Sequence, residues 1–491
     1  MGAHRHDTAG QDLAFMQVID GRHQDAASGE RIDVVCPSDG EVFASIPRGR
    51  QADVDLAVAA ARKAFDEGPW ARMPAFERGR LLTRLFHLID ENGDELAALE
   101  SRDTGKPVRQ GKADVVATKR YYEFYGGAAD KIHGDTIPFL DGYTALTMRE
   151  PHGVVAGIIP WNYPLQILAR VAGAALAMGN TLVVKPAEDA SLTAIRIAEL
   201  ALEAGFPAGV FNVITGYGSE AGAALSGHPG VDYVTFTGST LTGTRIQQAA
   251  AINNRGVTME LGGKSPQIVF ADADLDAAIP VLVNAIIQNG GQTCSAGSRI
   301  LIDRKVYGEV AEALAERFSA LVAGPHLADL DLGPMINAKQ RERVAGFIAA
   351  AEEAGIPVLA KGTVHPDAPV GGFYAAPALF GAVDPDASLA QKEVFGPVLS
   401  LLSFDDEADA IRIANATDYG LVAGIWTRDG ARQHRVAKRV RAGQVFVNGY
   451  GAGGGIELPF GGFKKSGHGR EKGFEALYDM SATKTIVFNH G

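Results

Sequence analysis

The sequence predicts an α/β protein made of two parallel-sheet units with a small β arm. Three observations lead there. From residue 153 to residue 251, short apolar runs alternate with helical stretches across short loops, the pattern of a parallel sheet covered on both faces. Those runs are continuously apolar, as strands buried on two sides should be. A second alternating stretch opens at "SPQIVF" and continues to "AGIWT".

The elements follow in order. The first dozen residues, "MGAHRHDTAGQD", are polar and expected to be loose. "VDLAVAAARKAF" and "RGRLLTRLFHLIDENGDELAALESRDTGKP" carry helical apolar spacing that stops at Gly105 and Pro107. A further helix is expected through "ADVVATKRYYEFYGGAA", and "KIHGDTIPFLDGYTALTMREP" reads as a turn-punctuated hairpin. Strands of the first unit are expected at "GVVAGIIP", "NTLVVKP", "GVFNVITG" and "VDYVTFTG", with helices at "ILARVAGAALAMG", "SLTAIRIAELALEAG", "EAGAALSG" and "STLTGTRIQQAAA". The second unit includes "AAIPVLVNAII", "SRILID", "YGEVAEALAERFSALVAG", "QRERVAGFIAAAEEAG", "VLSLLSF" and "ADAIRIANAT". The tail "SATKTIVF" is a lone β-prone segment, which needs a partner sheet in its own chain or a neighbour's.

Bulk properties narrow the function. A chain of 491 residues exceeds one ordinary core, and domains of about 100–200 residues suggest two or three units. The net charge of -12 argues against nucleic acid and anionic membranes as partners. Two cysteines, Cys36 and Cys294, cannot make a disulfide framework and suit a reducing compartment. The N-terminus lacks an apolar signal core and no stretch is long enough to cross a membrane, so a cytoplasmic location is expected. The 59 glycines exceed the ordinary share of about 7% and point to tight turns and close backbone approaches.

Several short stretches can carry chemistry, and each also has an ordinary structural reading. In "TFTGSTLTGTRI" a strand ends, Gly238, Ser239 and Thr240 turn, and a helix starts. Its N-terminus would attract phosphate, or Ser239 simply caps it. Gly238 and Gly243 do not match the usual dinucleotide fingerprint. Lys185 and Glu188 in "VVKPAE" follow a buried strand, where ligands gather in open parallel sheets, or form a solvated charge pair. Glu260 in "TMELGGKSP" could act as a general base once desolvated, or lie exposed at a crossover. Asn162 in "IIPWNYP" could donate to an oxyanion or fold its own loop. Cys294 in "GGQTCSAG" sits among small and polar residues, where a small molecule could approach the thiol. No histidine lies near it in sequence, though a distant one could pair with it.

"IIPWNYP", "VVKPAE", "FTGST", "MELGGKSP", "GGQTCSAGSR", "EVFGPV" and "PFGGFKKSGHGRE" occur in that order. Together they closely resemble the aldehyde dehydrogenase superfamily, in its hydrolytic, NAD(P)-dependent branch, and the likeness covers nearly the whole chain. The resemblance implies a Rossmann-like NAD-binding domain (1–130 and 151–258), a catalytic α/β domain (259–460), and an oligomerisation arm with C-terminal segment (131–150 and 461–491). Cys294 would be the nucleophile, Glu260 the base that activates water, and Asn162 with the Cys294 N–H the oxyanion donors. Cofactor contacts would fall on Trp161, Lys185, Glu188, Gly218, Ser239, Leu261, Glu393 and Phe395. A carboxylate at Glu188 favours NAD over NADP, and no metal is expected. Tyr163, Ala169, Thr293, Ser295 and Phe460 would line the substrate tunnel. Many relatives carry a Trp-Lys pair at the place read here as Ala169 and Arg170. On that reading Ala169 widens the tunnel toward a bulky or ring-bearing aldehyde. Arg170 would stand with Glu471 behind the glutamate, keeping the charge but unable to relay a proton. A homodimer or homotetramer is implied, with a small-molecule aldehyde as the other partner.

Three rival readings predict different behaviour. A CoA-acylating relative would pass the acyl group to CoA, but such relatives generally lack the base at Glu260. A thiol hydrolase without redox chemistry leaves Lys185, Glu188, Ser239 and Glu393 without purpose. A structural or binding protein has no need of Cys294, Asn162 and Glu260 together.

Overall fold

The computed structural model describes residues 13–451 and 455–491. The polar first dozen lies outside the described residues. Among the described residues, two large sheets and three small ones organise the chain. In the first sheet five parallel strands run in the spatial order Gly256–Glu260, Tyr233–Thr237, Val154–Ile159, Thr181–Pro186 and Phe211–Val213. Antiparallel edges are added by Gly467–His468 on one side and by Gln17–Ile19 and Arg22–Gln24 on the other. The chain enters at Val154–Ile159, winds outward in one direction, then returns to fill the other side. The reversal therefore falls between Val154–Ile159 and Tyr233–Thr237, and open α/β sheets bind ligands at the carboxyl ends of strands flanking such a reversal.

Continuous apolar runs are needed because both faces are covered. Along Val154–Ile159, Val155 and Ile159 join one hydrophobic cluster while Val154, Ala156 and Ile158 join another. Alternate side chains thus serve opposite layers. One layer includes the helix Pro164–Ala177, opened by proline at its first position, and Leu192–Glu203. The other includes Gln51–Asp66 and Thr240–Ala251.

The second sheet has six parallel strands, ordered Ala378–Phe380, Val398–Phe404, Arg299–Asp303, Pro266–Val269, Val422–Trp426 and Gln444–Val447. It too divides its side chains, with Ile268 and Leu301 in one cluster and Val269, Ile300 and Ile302 in the other. The segment between Glu260 and Pro266 leaves the first sheet at its last parallel strand and enters the middle of the second. The buried guanidinium of Arg299 donates to the carbonyls of Lys264, Ile413 and Ala414, fixing that crossing.

The tail strand finds its partner in its own chain. Ser481–Asn489 pairs antiparallel with Tyr143–Pro151 along its full length, and Thr136–Ile137 completes a three-stranded sheet. Two helical expectations are refined. The long run before Gly105 is two helices, Ala75–Glu91 and Gly93–Thr104, broken at Asn92. "EAGAALSG" forms a π-type turn, Gly218–Gly222, running into the short helix Ala223–Ser226. No helix among the described residues is long and apolar enough to cross a membrane.

Candidate active site

Cys294 lies on the loop between the helix Leu275–Ile287 and the strand Arg299–Asp303. The loop turns back through left-handed backbone at Asn289, Gly290 and Gly291. A Cβ on Gly291 would lie 2.2 Å from the Gly396 carbonyl oxygen. The cysteine then meets the crossing segment so closely that a Cβ on Gly263 would lie 2.2 Å from its carbonyl oxygen. No other residue type fits either position without moving the backbone. The Cys294 side chain is partly buried and packs with Phe460, Leu421 and Val422. Burial pushes its thiol up to about 12, with Arg170 pulling the other way. Among the described residues its backbone N–H donates to no protein acceptor.

Asn162 follows the strand Val154–Ile159, at the reversal point. Its amide Nδ2 donates to the Gln292 carbonyl at 2.9 Å, tying its loop to the cysteine loop. Only one of the two amide hydrogens is used there, so the second can serve a ligand. Glu260 ends the last parallel strand of the first sheet and is 1% exposed. Neither of its carboxyl oxygens has a hydrogen-bond partner among the described residues. Burial and the nearby Glu471 hold this carboxyl well above the usual range, opposed by Arg170, Arg470 and Lys472. The thiol and this carboxyl feel one another's charge.

The expected pocket residues separate. Tyr163 is buried, with its hydroxyl 3.3 Å from Gln110 Nε2. The hydroxyls of Thr293 and Ser295 flank the cysteine 3.3 Å from each other. Phe460 packs against Cys294. Ala169 does not belong with them. It is fully buried in the hydrophobic cluster behind the first sheet, so it opens no tunnel. The next residue on the helix, turned by about 100°, faces the site instead. The Arg170 guanidinium carbon lies 5.0 Å from the Phe460 ring centroid, and one Nη donates to Glu471 at 3.2 Å. A bulky cation occupies the space the sequence reading left open.

The remaining candidates line the carboxyl edge of the first sheet and its junction with the second. Lys185 Nζ donates to Glu188 at 3.1 Å, and the Gly218 N–H donates to the same carboxylate at 3.3 Å. Burial lowers the lysine despite its partner. Ser239 caps the helix Thr240–Ala251, its hydroxyl accepting from the Thr242 N–H at 3.3 Å. Leu261 packs under that helix, where a Cβ on Gly243 would lie 2.5 Å from its Cδ2. Glu393 accepts from the Gly263 N–H at 2.8 Å, and burial pushes it up to about 7. Phe395 holds left-handed backbone and meets Trp161 edge-on, with centroids 5.4 Å apart.

Sequence reasoning missed the supports. Lys106 is fully buried, and its Nζ donates to Glu100 at 3.0 Å, to Asp114 at 2.5 Å and to the Asn162 carbonyl at 3.1 Å. Asn289 Nδ2 donates to that same carbonyl at 2.8 Å. Gln292 accepts from the Ile336 N–H and donates to the Asn289 carbonyl. A lysine flanked by glycine and proline carries no sign of burial. The only available signal was the acidic pair Glu100 and Asp114, one on each side of it in a helical context. Lys472 was also overlooked, although it directly follows Glu471, the last residue of a quoted stretch.

Comparison with known proteins gives one answer. The family model described as "Aldehyde dehydrogenase family" matches residues 23–486. "Aldehyde dehydrogenase family 2 member C4" of Arabidopsis thaliana is 43% identical over 476 residues, covering 96% of this chain and 94% of the plant protein. A solved chain from Burkholderia cenocepacia is 62% identical, with a TM-score of 0.96, covering 97% of this chain and 100% of its own. The NAD+ complex of a Bacillus cereus aldehyde dehydrogenase is 40% identical, with a TM-score of 0.95 and coverage of 98% and 97%.

Proposed function

Because the chain belongs to the aldehyde dehydrogenase family, we propose that it oxidises an aldehyde to the carboxylic acid through Cys294, with NAD as the acceptor. One observation carries the reading. A partly buried thiol, a free backbone N–H beside it and a buried carboxyl with two unpartnered oxygens meet at the junction of the two sheets.

The residues fit NAD along the carboxyl edge of the first sheet. The Lys185–Glu188 pair suits ribose hydroxyls, the helix N-terminus at Ser239 suits pyrophosphate, and Glu393 suits the second ribose. Bound there, NAD supplies the two-electron acceptor for the hydride leaving the substrate carbon. Cys294 gives up its proton to solvent, and Sγ attacks the aldehyde carbon as thiolate, forming a thiohemiacetal oxyanion. The Asn162 amide and the Cys294 N–H hold the oxyanion, each such donor being worth about 2.7–4 kcal/mol in the transition state. A thioester remains on Sγ after oxidation. Glu260 takes a proton from water, which attacks the thioester and frees the acid. The unpartnered oxygens of Glu260 favour water over CoA as acceptor. Glu188 carries a negative charge where NADP would bring its 2′-phosphate, which favours NAD.

In this reading residues 1–130 and 151–258 form the cofactor domain and 259–460 the catalytic domain. Residues 131–150 and 461–491 form the arm and C-terminal segment of a homo-oligomer. Two free thiols suit the cytosol. The test is Cys294→Ala, expected to abolish NADH formation while leaving NAD binding largely intact. Retained turnover overturns the assignment. Glu260→Gln is expected to keep an NADH burst and slow the steady state, with no CoA required in the parent enzyme. An undiminished steady rate removes Glu260 from its role.

A further inference from the structure

A cavity of about 630 Å³ lies at the amino ends of the strands Val154–Ile159 and Thr181–Pro186, the opposite end of the first sheet from Asn162. It is walled by the helices Gln51–Asp66 and Ala75–Glu91 and by the end of the strand Tyr143–Pro151. Its size suits a small molecule. Phe65, Ile132 and Met178 supply apolar walls, and two arginines, Arg78 and Arg149, line the same space. Arg78 is held in place. Its Nε donates to the Ala177 carbonyl at 3.1 Å and one Nη to the Met73 carbonyl at 2.7 Å, while the other Nη donates to nothing among the described residues. A Cβ on Gly179, at φ 92, would lie 3.2 Å from the Arg78 Cζ, so the guanidinium packs directly on that glycine. Burial lowers this arginine and no carboxylate opposes the effect, yet a guanidinium keeps its charge in a protein. The Arg149 Cζ lies 4.8 Å from the centroid of the Tyr478 ring, and no described carboxylate pairs with it.

The two acids of the lining face other cations. Asp66 lies 3.6 Å from Arg62, and Asp130 pairs with Lys131. The arginines are therefore the groups left to be answered by a ligand. A guanidinium recognises planar anions, and carboxylate fits its fork. The apolar walls call for a hydrocarbon body behind that head, which inorganic phosphate lacks. We infer that this cavity binds an organic carboxylate, its head on the free Nη of Arg78 and on Arg149, its apolar body against Phe65, Ile132 and Met178. The site is separate from Cys294, and the inference does not rest on the dehydrogenase reading.

Calorimetric titration of the full-length protein tests it, with Cys294 first alkylated by iodoacetamide to obstruct the candidate active site. The probes are benzoate and hexanoate, their amides benzamide and hexanamide, and inorganic phosphate. Each acid is expected to bind at least about tenfold tighter than its amide, the difference between a charge-assisted and a neutral hydrogen bond. Arg149→Gln should remove most of that preference while leaving the circular dichroism spectrum unchanged, and Arg149→Lys should restore part of it. Arg78→Gln should also remove it; if losing the Ala177 contact prevents folding, the Arg149 variants decide alone. Equal affinity for acid and amide overturns the proposal, as does a preference that Arg149→Gln leaves intact. Phosphate binding more tightly than both acids makes this a site for inorganic anions and overturns the ligand class. No saturable binding of either acid up to about 10 mM overturns the site itself.

Discussion

Its surroundings hold the Cys294 thiol above its ordinary range. Burial is the largest influence on it, and the carboxyl groups of Glu260, Glu393 and Glu471 add to that push, while Arg170 opposes it. The thiolate is the nucleophile, so reactivity below the pKa follows the deprotonated fraction and grows with pH. In NAD-free protein, the rate of Cys294 alkylation by iodoacetamide is expected to rise about tenfold per unit from about pH 7 to about pH 9. A plateau below about pH 8 would mean that the resting enzyme already holds the thiolate. Cys36, 2% exposed and pushed up to about 11 by burial, should stay unlabelled. At this scale the sequence was legible in placement: Asn162 is tied to the loop of Cys294, and Glu260 ends its strand. It misled at Ala169, because one step along a helix turns the side chain by about 100° and exchanges core for cleft. It was silent on Lys106, because the burial of a charge depends on contacts remote in the chain.

The loop carrying Asn162 is held from behind. Lys106, from the turn between Gly93–Thr104 and Val108–Ala128, reaches the Asn162 carbonyl while its charge is met by Glu100 and Asp114. Gln166 and Thr193 donate to the outer oxygens of the same carboxyl groups. Four helices are thereby locked to one loop. The two carboxyl groups keep Lys106 charged, whereas burial and Asp114 raise Glu100 above its ordinary value. Removing the lysine leaves acids buried without a cation, and such a break typically costs 3–5 kcal/mol, so Lys106→Met should lower unfolding stability by about that amount. Glu100→Gln keeps Asp114 as the lysine's partner, so it should cost less than Lys106→Met. Denaturant midpoints of the two variants check the contrast, and equal losses would show that Asp114 alone does not hold the lysine. The helices and strands themselves were mostly readable, since two-faced burial leaves an uninterrupted apolar run. Strand order was not, because adjacent strands in these sheets are brought together by crossovers that leave no local mark.

At the scale of the whole molecule, the small sheet and its turn gather exposed apolar side chains on both faces, Ile137 and Val487 on one and Met148 and Phe488 on the other. On the sheet formed by Thr136–Ile137, Tyr143–Pro151 and Ser481–Asn489, and on the turn beside it, Ile137, Phe139, Leu140, Met148, Val487 and Phe488 are all exposed. The strand Ser481–Asn489 is also paired on only one side, so its outer edge offers free backbone donors and acceptors. An uncovered apolar edge of that kind is an invitation to association, and proteins that keep one generally use it. Light scattering on the full chain is therefore expected to give two or four times the chain mass of 51.6 kDa. Val487→Lys combined with Phe488→Glu places charge on the exposed arm, far from the sheet junction that holds Cys294, and should yield a smaller species. If the parent protein runs at the mass of one chain, the arm must be covered by something other than its own kind, and the homo-oligomer reading fails. If the doubly charged variant keeps the parent mass, the subunits meet elsewhere on the surface.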